Sequence, residues 1–158
     1  MRSVGKFTIR PATTADVPAV RDMMREYVDW IALDLAFQEI DEELAGLPGE
    51  YAPPSGALLV VPDGDRLVAM IGLRPLDGTI CEMKRLFVRP AARGQGLAKQ
   101  LIAQVLDEAR RLGYAEIRLD TLPMMGDAQA LYAAMGFADI EAYYDTPIAG
   151  TRFMAKRL

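Results

Sequence analysis

The stretch LFVRPAARGQGLAKQLI, Leu86–Ile102, decides the fold expected for this chain. An apolar, strand-like run ends at Val88, a basic turn with two glycines follows, and a helical pattern of apolar residues comes next. A helix that begins at Gly94 or Gln95 presents backbone N–H groups without intrahelical partners, and its dipole favours an anion there. Glycine also lets a phosphate approach the backbone closely. The stretch therefore predicts either a phosphate site or a strand-to-helix turn with solvated arginines, and the pattern alone fits both.

The flanking sequence predicts an α/β fold of the α+β type, with one mixed, mostly antiparallel sheet and helices on its faces. Strands are expected at 7–10, 57–61, 67–73, 79–88, 115–121, 137–140 and 151–157, and helices near 17–31, 39–47, 94–112 and 127–135. The unit 79–121 has the pattern of a parallel, right-handed strand–helix–strand crossover. Since the sequence contains no repeat, low-complexity segment or linker, residues 1–158 are expected to form a single domain.

Composition excludes several classes of function. The net charge of −4 gives no electrostatic footprint for nucleic-acid binding. The absence of histidine removes histidine metal sites, histidine triads and histidine general bases. The single cysteine, Cys81, allows no intrachain disulfide, and no window reaches the ~20 apolar residues of a membrane span. We therefore expect a cytoplasmic protein without a metal, a nucleic-acid partner or a membrane segment.

Two motifs carry a resemblance to a known family. The stretch VRPAARGQGLAKQLI is similar to the acyl-CoA-binding motif of the GNAT superfamily of N-acetyltransferases, Arg/Gln-x-x-Gly-x-Gly/Ala, which is matched by Arg93, Gly96 and Ala98. The stretch ALYAAMGF resembles the second signature of the family, a Leu-Tyr three residues ahead of Gly-Phe, and supplies Tyr132. The predicted order of elements is also that of the family. The resemblance covers roughly residues 7–158.

This resemblance implies a GNAT-like fold and acetyl-CoA as the acyl donor, without a metal. It implies that the end of strand 79–88 hydrogen-bonds the pantetheine arm, through Leu86, Phe87 and Val88. The pyrophosphate would be held by the backbone amides of the following loop and helix, which are those of Arg93, Gly94, Gln95, Gly96, Leu97, Ala98 and Lys99. Strands 79–88 and 115–121 would splay apart to admit the donor. Met125 stands where related families often carry an asparagine.

Acetyl transfer to an amine needs a proton acceptor, an oxyanion donor and a proton for the departing thiolate. Glu82 is the first candidate for the base, because it precedes Val88 by the offset at which some GNAT enzymes place one; the alternative is a structural ion pair with Lys84 or Arg85. Tyr132 resembles the family tyrosine that protonates the CoA sulfur; the alternative is core packing. Strand alternation places Cys81 on the face opposite Glu82, which favours direct transfer over a covalent intermediate.

The acceptor is expected to bind where variable segments converge beside Glu82. The candidates for this role are Trp30, Gln38, Lys84, Arg85 and Tyr144. Carboxylates at Asp34, Glu50 and Asp145 would suit a cationic amine. Lys84 and Arg85 would instead suit a carboxylate on the acceptor. We therefore expect a small amino-acid-like amine or a protein amine.

Two points remain open in the sequence. A non-catalytic acyl-CoA-binding module that regulates or senses is the alternative to an enzyme, and it would keep donor binding without Glu82 and Tyr132. An exposed sheet edge or the apolar C-terminal strand could support a homodimer, and nothing in the sequence decides between a monomer and a dimer.

Overall fold

The computed structural model describes residues 2–4, 7–33 and 39–158. The strands are β1 Arg2–Val4, β2 Phe7–Pro11, β3 Ala57–Asp63, β4 Arg66–Asp77, β5 Ile80–Val88, β6 Glu116–Thr121, β7 Ala138–Ile140 and β8 Arg152–Arg157. The helices are α1 Val17–Ile31, α2 Ile40–Ala45, α3 Leu97–Arg111 and α4 Gly126–Ala134. The strands form one mixed sheet in the order β1-β2-β3-β4-β5-β6-β8-β7, which confirms the predicted fold class. Strand β1 was not predicted, because its three residues are too few to show a periodic pattern.

Helices cover both faces of the sheet. Leu101, Ile102 and Val105 of α3 pack in one apolar cluster, which also takes in Tyr132 of α4. Helices α1 and α2 contribute to a second cluster. Successive strand residues point to opposite faces, so Leu59 of β3 joins the first cluster and its neighbour joins the second. The central strands are thus buried on both sides. Among the described residues, no helix is long and apolar enough to cross a membrane.

The crossover β5–α3–β6 is parallel, as predicted, but its hydrogen-bonded ladder is short. Ile80, Cys81 and Glu82 pair with Glu116, Ile117 and Arg118, and the register ends there. Strand β5 continues to Val88 against β4, while β6 continues to Thr121 against β8. The two strands therefore separate toward their C-terminal ends and leave a cleft in the sheet.

A bulge at Arg85 changes the phase of β5 within this cleft. Lys84 lies opposite Gly72 and Phe87 opposite Met70, so two residues of β5 face one residue of β4. Arg85 is buried and has a left-handed φ of 63°, which costs a non-glycine residue about 1–2 kcal/mol. Beyond the bulge, each side chain of β5 consequently points to the face opposite the one that strict alternation from Glu82 would give.

Candidate active site

Two adjoining cavities occupy the cleft. The outer groove has a volume of about 510 Å³ and lies between the end of β5, the first turn of α3, α4 and the end of α1. The inner cavity, of about 30 Å³, lies between β5 and β6 and contains the charged side chains of Lys84, Arg85 and Asp120 in its wall. The two share three lining residues, which are Leu86, Met125 and Tyr132. A mostly apolar groove therefore ends in a small charged chamber.

The loop before α3 has the geometry of an anion site. The first backbone hydrogen bond of the helix runs from the N–H of Gln100 to the carbonyl of Gly96. The N–H groups of the preceding residues of the first turn therefore have no acceptor within the helix. Gly94 and Gly96 have φ values of +77° and +78°, and a Cβ on either would meet no atom within 4 Å. The left-handed conformation alone therefore accounts for both glycines, and it leaves open space beside the backbone that fits a phosphate.

Arg93 and Trp30 form one wall of the outer groove. The Nε of Arg93 donates to the carbonyl of Val88 at 2.9 Å. Its guanidinium carbon lies 5.2 Å from the centre of the Trp30 ring and 5.9 Å from that of Phe87. Trp30 and Met124, which lies in the same groove, are 47% and 46% exposed. The groove thus presents large apolar surfaces to solvent at its mouth.

A hydrogen-bonded group of three residues forms part of the inner end of the site. The Nζ of Lys84 donates to one oxygen of Asp120 at 3.1 Å, and the hydroxyl of Tyr144 donates to the other at 2.5 Å. The side chains of Lys84 and Asp120 are each 5% exposed. Burial lowers the pKa of Lys84, although Asp120 opposes this. Burial raises the pKa of Asp120, but Lys84 and Tyr144 outweigh it and leave this pKa below its usual value. Asp120 is therefore ionised at neutral pH.

Glu82 is held outside both cavities. Its carboxylate accepts from the Nε of Arg74 at 2.9 Å and from the hydroxyl of Tyr143 at 2.5 Å, and the residue is 2% exposed. The ion-pair alternative drawn from the sequence is wrong in its partners, because Lys84 pairs with Asp120 and Arg85 pairs with a carboxylate of α2. The catalytic role of Glu82 stays a prediction.

Arg85 ties helix α2 to the cleft. Its Nε and one terminal nitrogen donate to the two oxygens of Glu43 at 2.8 and 3.0 Å. The hydroxyl of Tyr51 donates to the same carboxylate at 3.0 Å, and Arg74 lies 3.8 Å from it. The left-handed backbone at Arg85 is thus fixed by a buried bidentate pair.

Tyr132 lines both cavities at their junction. It is 6% exposed, and its ring centre lies 5.8 Å from that of Phe137. Burial raises its pKa, and Tyr27 and Asp120 add to the effect, so the phenol stays protonated at neutral pH. Met125 beside it accepts a hydrogen bond from the hydroxyl of Thr121 at 3.8 Å. Met125 therefore presents a thioether to the groove, where the asparagine of related families would present a side-chain amide.

The structure brings most of the predicted site residues together, in two groups. The outer groove is lined by Trp30, Leu86, Phe87, Val88, Arg93, Ala98 and Tyr132. Gly94, Gln95, Gly96, Leu97 and Lys99 form the adjoining loop and first turn of α3, where Leu97 is buried in the core. Lys84 and Arg85 line the inner cavity, and Tyr144 bonds to Asp120 there. Trp30 lies with the predicted donor-binding residues, in the outer groove, and Gln38 and Asp34 are outside the described residues.

Sequence reasoning missed Asp120 and Met124. A signal for Asp120 was available. It lies near the C-terminal end of the predicted strand 115–121, at the edge where its parallel neighbour also ends. Met124 lies in a loop without a pattern.

Comparisons with known proteins agree on one family. The profile of the acetyltransferase (GNAT) family matches residues 18–137. An uncharacterised N-acetyltransferase of Schizosaccharomyces pombe is 36% identical over 141 residues, which are 88% of this chain and 86% of that protein. An acetyltransferase from Streptococcus agalactiae superposes with a TM-score of 0.81 at 21% identity, over 98% of this chain and 99% of the other.

A structure of the PaiA N-acetyltransferase from Thermoplasma acidophilum in complex with coenzyme A gives a TM-score of 0.75 at 17% identity, over 97% and 99% of the two chains. At these identities the structural likeness shows the fold, whereas the family profile and the S. pombe relative show the family. The resemblance drawn from the two motifs is confirmed. The chain belongs to the GNAT family of acetyltransferases, which take the acetyl group from acetyl-CoA.

Proposed function

We propose that the protein transfers the acetyl group of acetyl-CoA directly to the primary amine of a small amino-acid-like molecule or of a protein. The observation that carries the proposal is the meeting of the two cavities at Tyr132. A groove with an anion site leads there to a chamber that contains an ionised carboxylate.

The residues of the outer groove fit the donor. The amides of the loop and first turn of α3 would hold its pyrophosphate, as the bare backbone at Gly94 and Gly96 allows. The exposed faces of Trp30 and Met124 would cover its apolar parts, and the end of β5 would meet its amide groups. When bound, the donor supplies an acyl group activated as a thioester.

Asp120 and Tyr132 are placed to handle the two protons. An ammonium acceptor (pKa ~10.4) must lose a proton before it attacks, and Asp120 is the ionised carboxylate in the wall of the inner cavity. Tyr132 would protonate the departing thiolate, because its phenol lies where the two cavities meet. Glu82, which is bonded to Arg74 and Tyr143, would act on the acceptor through these partners or through water.

Direct transfer is supported by the state of Cys81. The thiol is fully buried in the core under α3, and it donates to the carbonyl of Glu116 at 3.5 Å. Burial raises its pKa to about 12, so little thiolate forms at neutral pH. A covalent intermediate on this residue would therefore lack a nucleophile.

The acceptor class rests on the mixture of charges at the inner cavity. Lys84 and Arg85 would meet an acceptor carboxylate, and Asp120 would meet its ammonium group. Each of these three residues already has a partner of opposite charge, so an acceptor must exchange places with one of them and thereby enlarge a cavity that measures about 30 Å³.

The test is release of CoA thiol over a panel of α-amino acids, diamines and peptides, with the product mass recorded. Wild type should acetylate at least one class, and Tyr132→Phe and Asp120→Asn should lower turnover much more than they lower acetyl-CoA affinity. Donor binding with no turnover on any amine would instead support the non-catalytic binding module. Glu82→Gln tests whether Glu82 is the general base, because an unchanged pH–rate profile in this variant would exclude that role.

A further inference from the structure

Lys84 places a primary amine in the inner cavity, where the proposed transfer takes place. Its side chain is 5% exposed, and it shares the cavity with Tyr132 and Asp120. The other lysines of the chain are Lys6, Lys99 and Lys156. Lys99 is exposed on α3 and Lys156 lies on β8, while Lys6 is outside the described residues. Among the described lysines, Lys84 is therefore the one placed inside the catalytic cleft.

The surroundings of Lys84 are those that an acceptor amine needs. Its Nζ already donates to Asp120, the carboxylate that would take a proton from an acceptor. Burial and Arg85 lower its pKa, although Asp120 opposes them, and a lowered pKa makes the neutral amine, the form that attacks a carbonyl, easier to reach. The shared walls at Leu86 and Met125 connect it to the groove that fits the donor.

We propose that Lys84 is a self-acetylation site, modified by acetyl-CoA when no acceptor occupies the inner cavity. This inference rests on the proposed function, because it needs the same donor in the same groove. The Nζ attacks the carbonyl carbon of the thioester, an N–C bond forms and the C–S bond breaks. Starting from the ion pair, the ammonium first loses one proton to solvent, and the neutral Nζ then attacks. The second proton of Nζ passes to Asp120, the thiolate takes a proton from Tyr132, and a proton returns to Tyr132 from Asp120 through solvent, so that one proton is released overall. The products are an amide on Lys84 and CoA thiol.

The modification would change the site that makes it. An amide carries no positive charge, so the ion pair with Asp120 is lost, and the added acetyl group occupies a chamber of only about 30 Å³. Acetylated protein should therefore turn over its acceptor more slowly and unfold at a lower temperature than unmodified protein.

The experiment is incubation of the purified protein with acetyl-CoA and no acceptor, followed by intact mass and peptide mapping. Acetylation of Lys84 should be about tenfold or more faster than that of Lys156, which is half-buried on β8 outside both cavities, because the cleft holds the reacting groups together. Acetyl phosphate, a chemical donor without the CoA moiety, should reverse that order. Free CoA should slow the modification of Lys84 and leave that of Lys156, which lies on β8 outside both cavities, unchanged.

Lys84→Arg is the matched variant, because it keeps a cation for Asp120 and removes the acceptor amine. It should still gain thermal stability from acetyl-CoA and should show no rapid acetylation. If wild type gains stability from acetyl-CoA but acetylates Lys84 no faster than Lys156, this inference alone is overturned. Wild type that does not bind acetyl-CoA would overturn the proposed function, and this inference with it.

Discussion

Replacing Gly96 by alanine separates the two roles of the glycine loop. Gly96 has a φ of +78°, and alanine in this region costs about 1–2 kcal/mol in the folded state. A smaller unfolded-state entropy offsets about 0.4–1 kcal/mol of this, so the net loss is about 1 kcal/mol. The matched control is Gly64→Ala in the β3–β4 hairpin, where φ is +63° and a Cβ likewise meets no atom within 4 Å. A loss of about 1 kcal/mol lowers the Tm of a domain of this size by roughly 2–4 °C, and both variants should show it.

The ligand distinguishes the two variants. Acetyl-CoA at about 100 times its Kd stabilises wild type by about 2.7 kcal/mol, which corresponds to a rise in Tm of roughly 5–10 °C. A methyl group at Gly96 occupies the space through which a phosphate approaches the backbone. If affinity falls about 100-fold, the same concentration stabilises the variant by about 0.4 kcal/mol, or roughly 1 °C. Gly64→Ala should keep the full rise.

Thermal unfolding of the three proteins, with acetyl-CoA, with free CoA and with neither, measures these quantities together. Equal ligand-induced rises in the two variants would refute the phosphate site and leave Gly96 serving the turn alone. If, without ligand, Gly96→Ala loses much more Tm than Gly64→Ala, the left-handed backbone is not the main reason for glycine at position 96.

Four further outcomes are expected. Tyr132→Phe should lower turnover in the thiol-release assay by about 100-fold or more and leave Tm nearly unchanged, and wild-type kinetics would relegate the phenol to packing. Glu82→Gln should cost about 2 kcal/mol in urea unfolding, since it weakens a charged hydrogen bond to Arg74; no loss would mean that the pair is not formed in solution. The Arg10 guanidinium lowers the pKa of Asp16, so this carboxylate stabilises the fold above about pH 4 and the benefit is lost as pH falls below that. Asp16→Asn should therefore flatten the acid limb of stability against pH, and an unchanged limb would contradict this. Leu101→Ala should cost about 2–5 kcal/mol, because the side chain is fully buried, and a loss below about 1 kcal/mol would contradict its core position.

Much of the fold could be predicted from local patterns. The apolar spacing of α3 and its terminal glycine fixed that helix to within three residues at each end, because one helical face must be buried. The order of strands after residue 7 followed from alternation and turn residues in the same way. Neither pattern identifies the bulge at Arg85, since no turn residue marks its left-handed backbone.

The site was harder to predict because its contacts cross between strands. The sequence paired Glu82 with its neighbours on the same strand, yet Arg74 lies directly opposite on β4, at the shorter cross-strand distance. The pair of Lys84 and Asp120 joins residues 36 positions apart and depends on how β5 and β6 diverge. Sequence motifs could place the groove and Tyr132, whereas the partners of each charge required the register of the sheet.

The short ladder between β5 and β6 divides the sheet into two arms, one ending at β5 and the other at β6. Hydrogen bonds join the two arms only where Ile80–Glu82 pairs with Glu116–Arg118. Beyond these residues each strand has one neighbour, and the edge of β5 that faces the cleft has the form of a position for an added strand. A slender ligand with amide groups of its own can complete that edge in the manner of strand addition. Binding then also closes the sheet, so amide hydrogen exchange should slow along both arms together rather than only where the ligand touches.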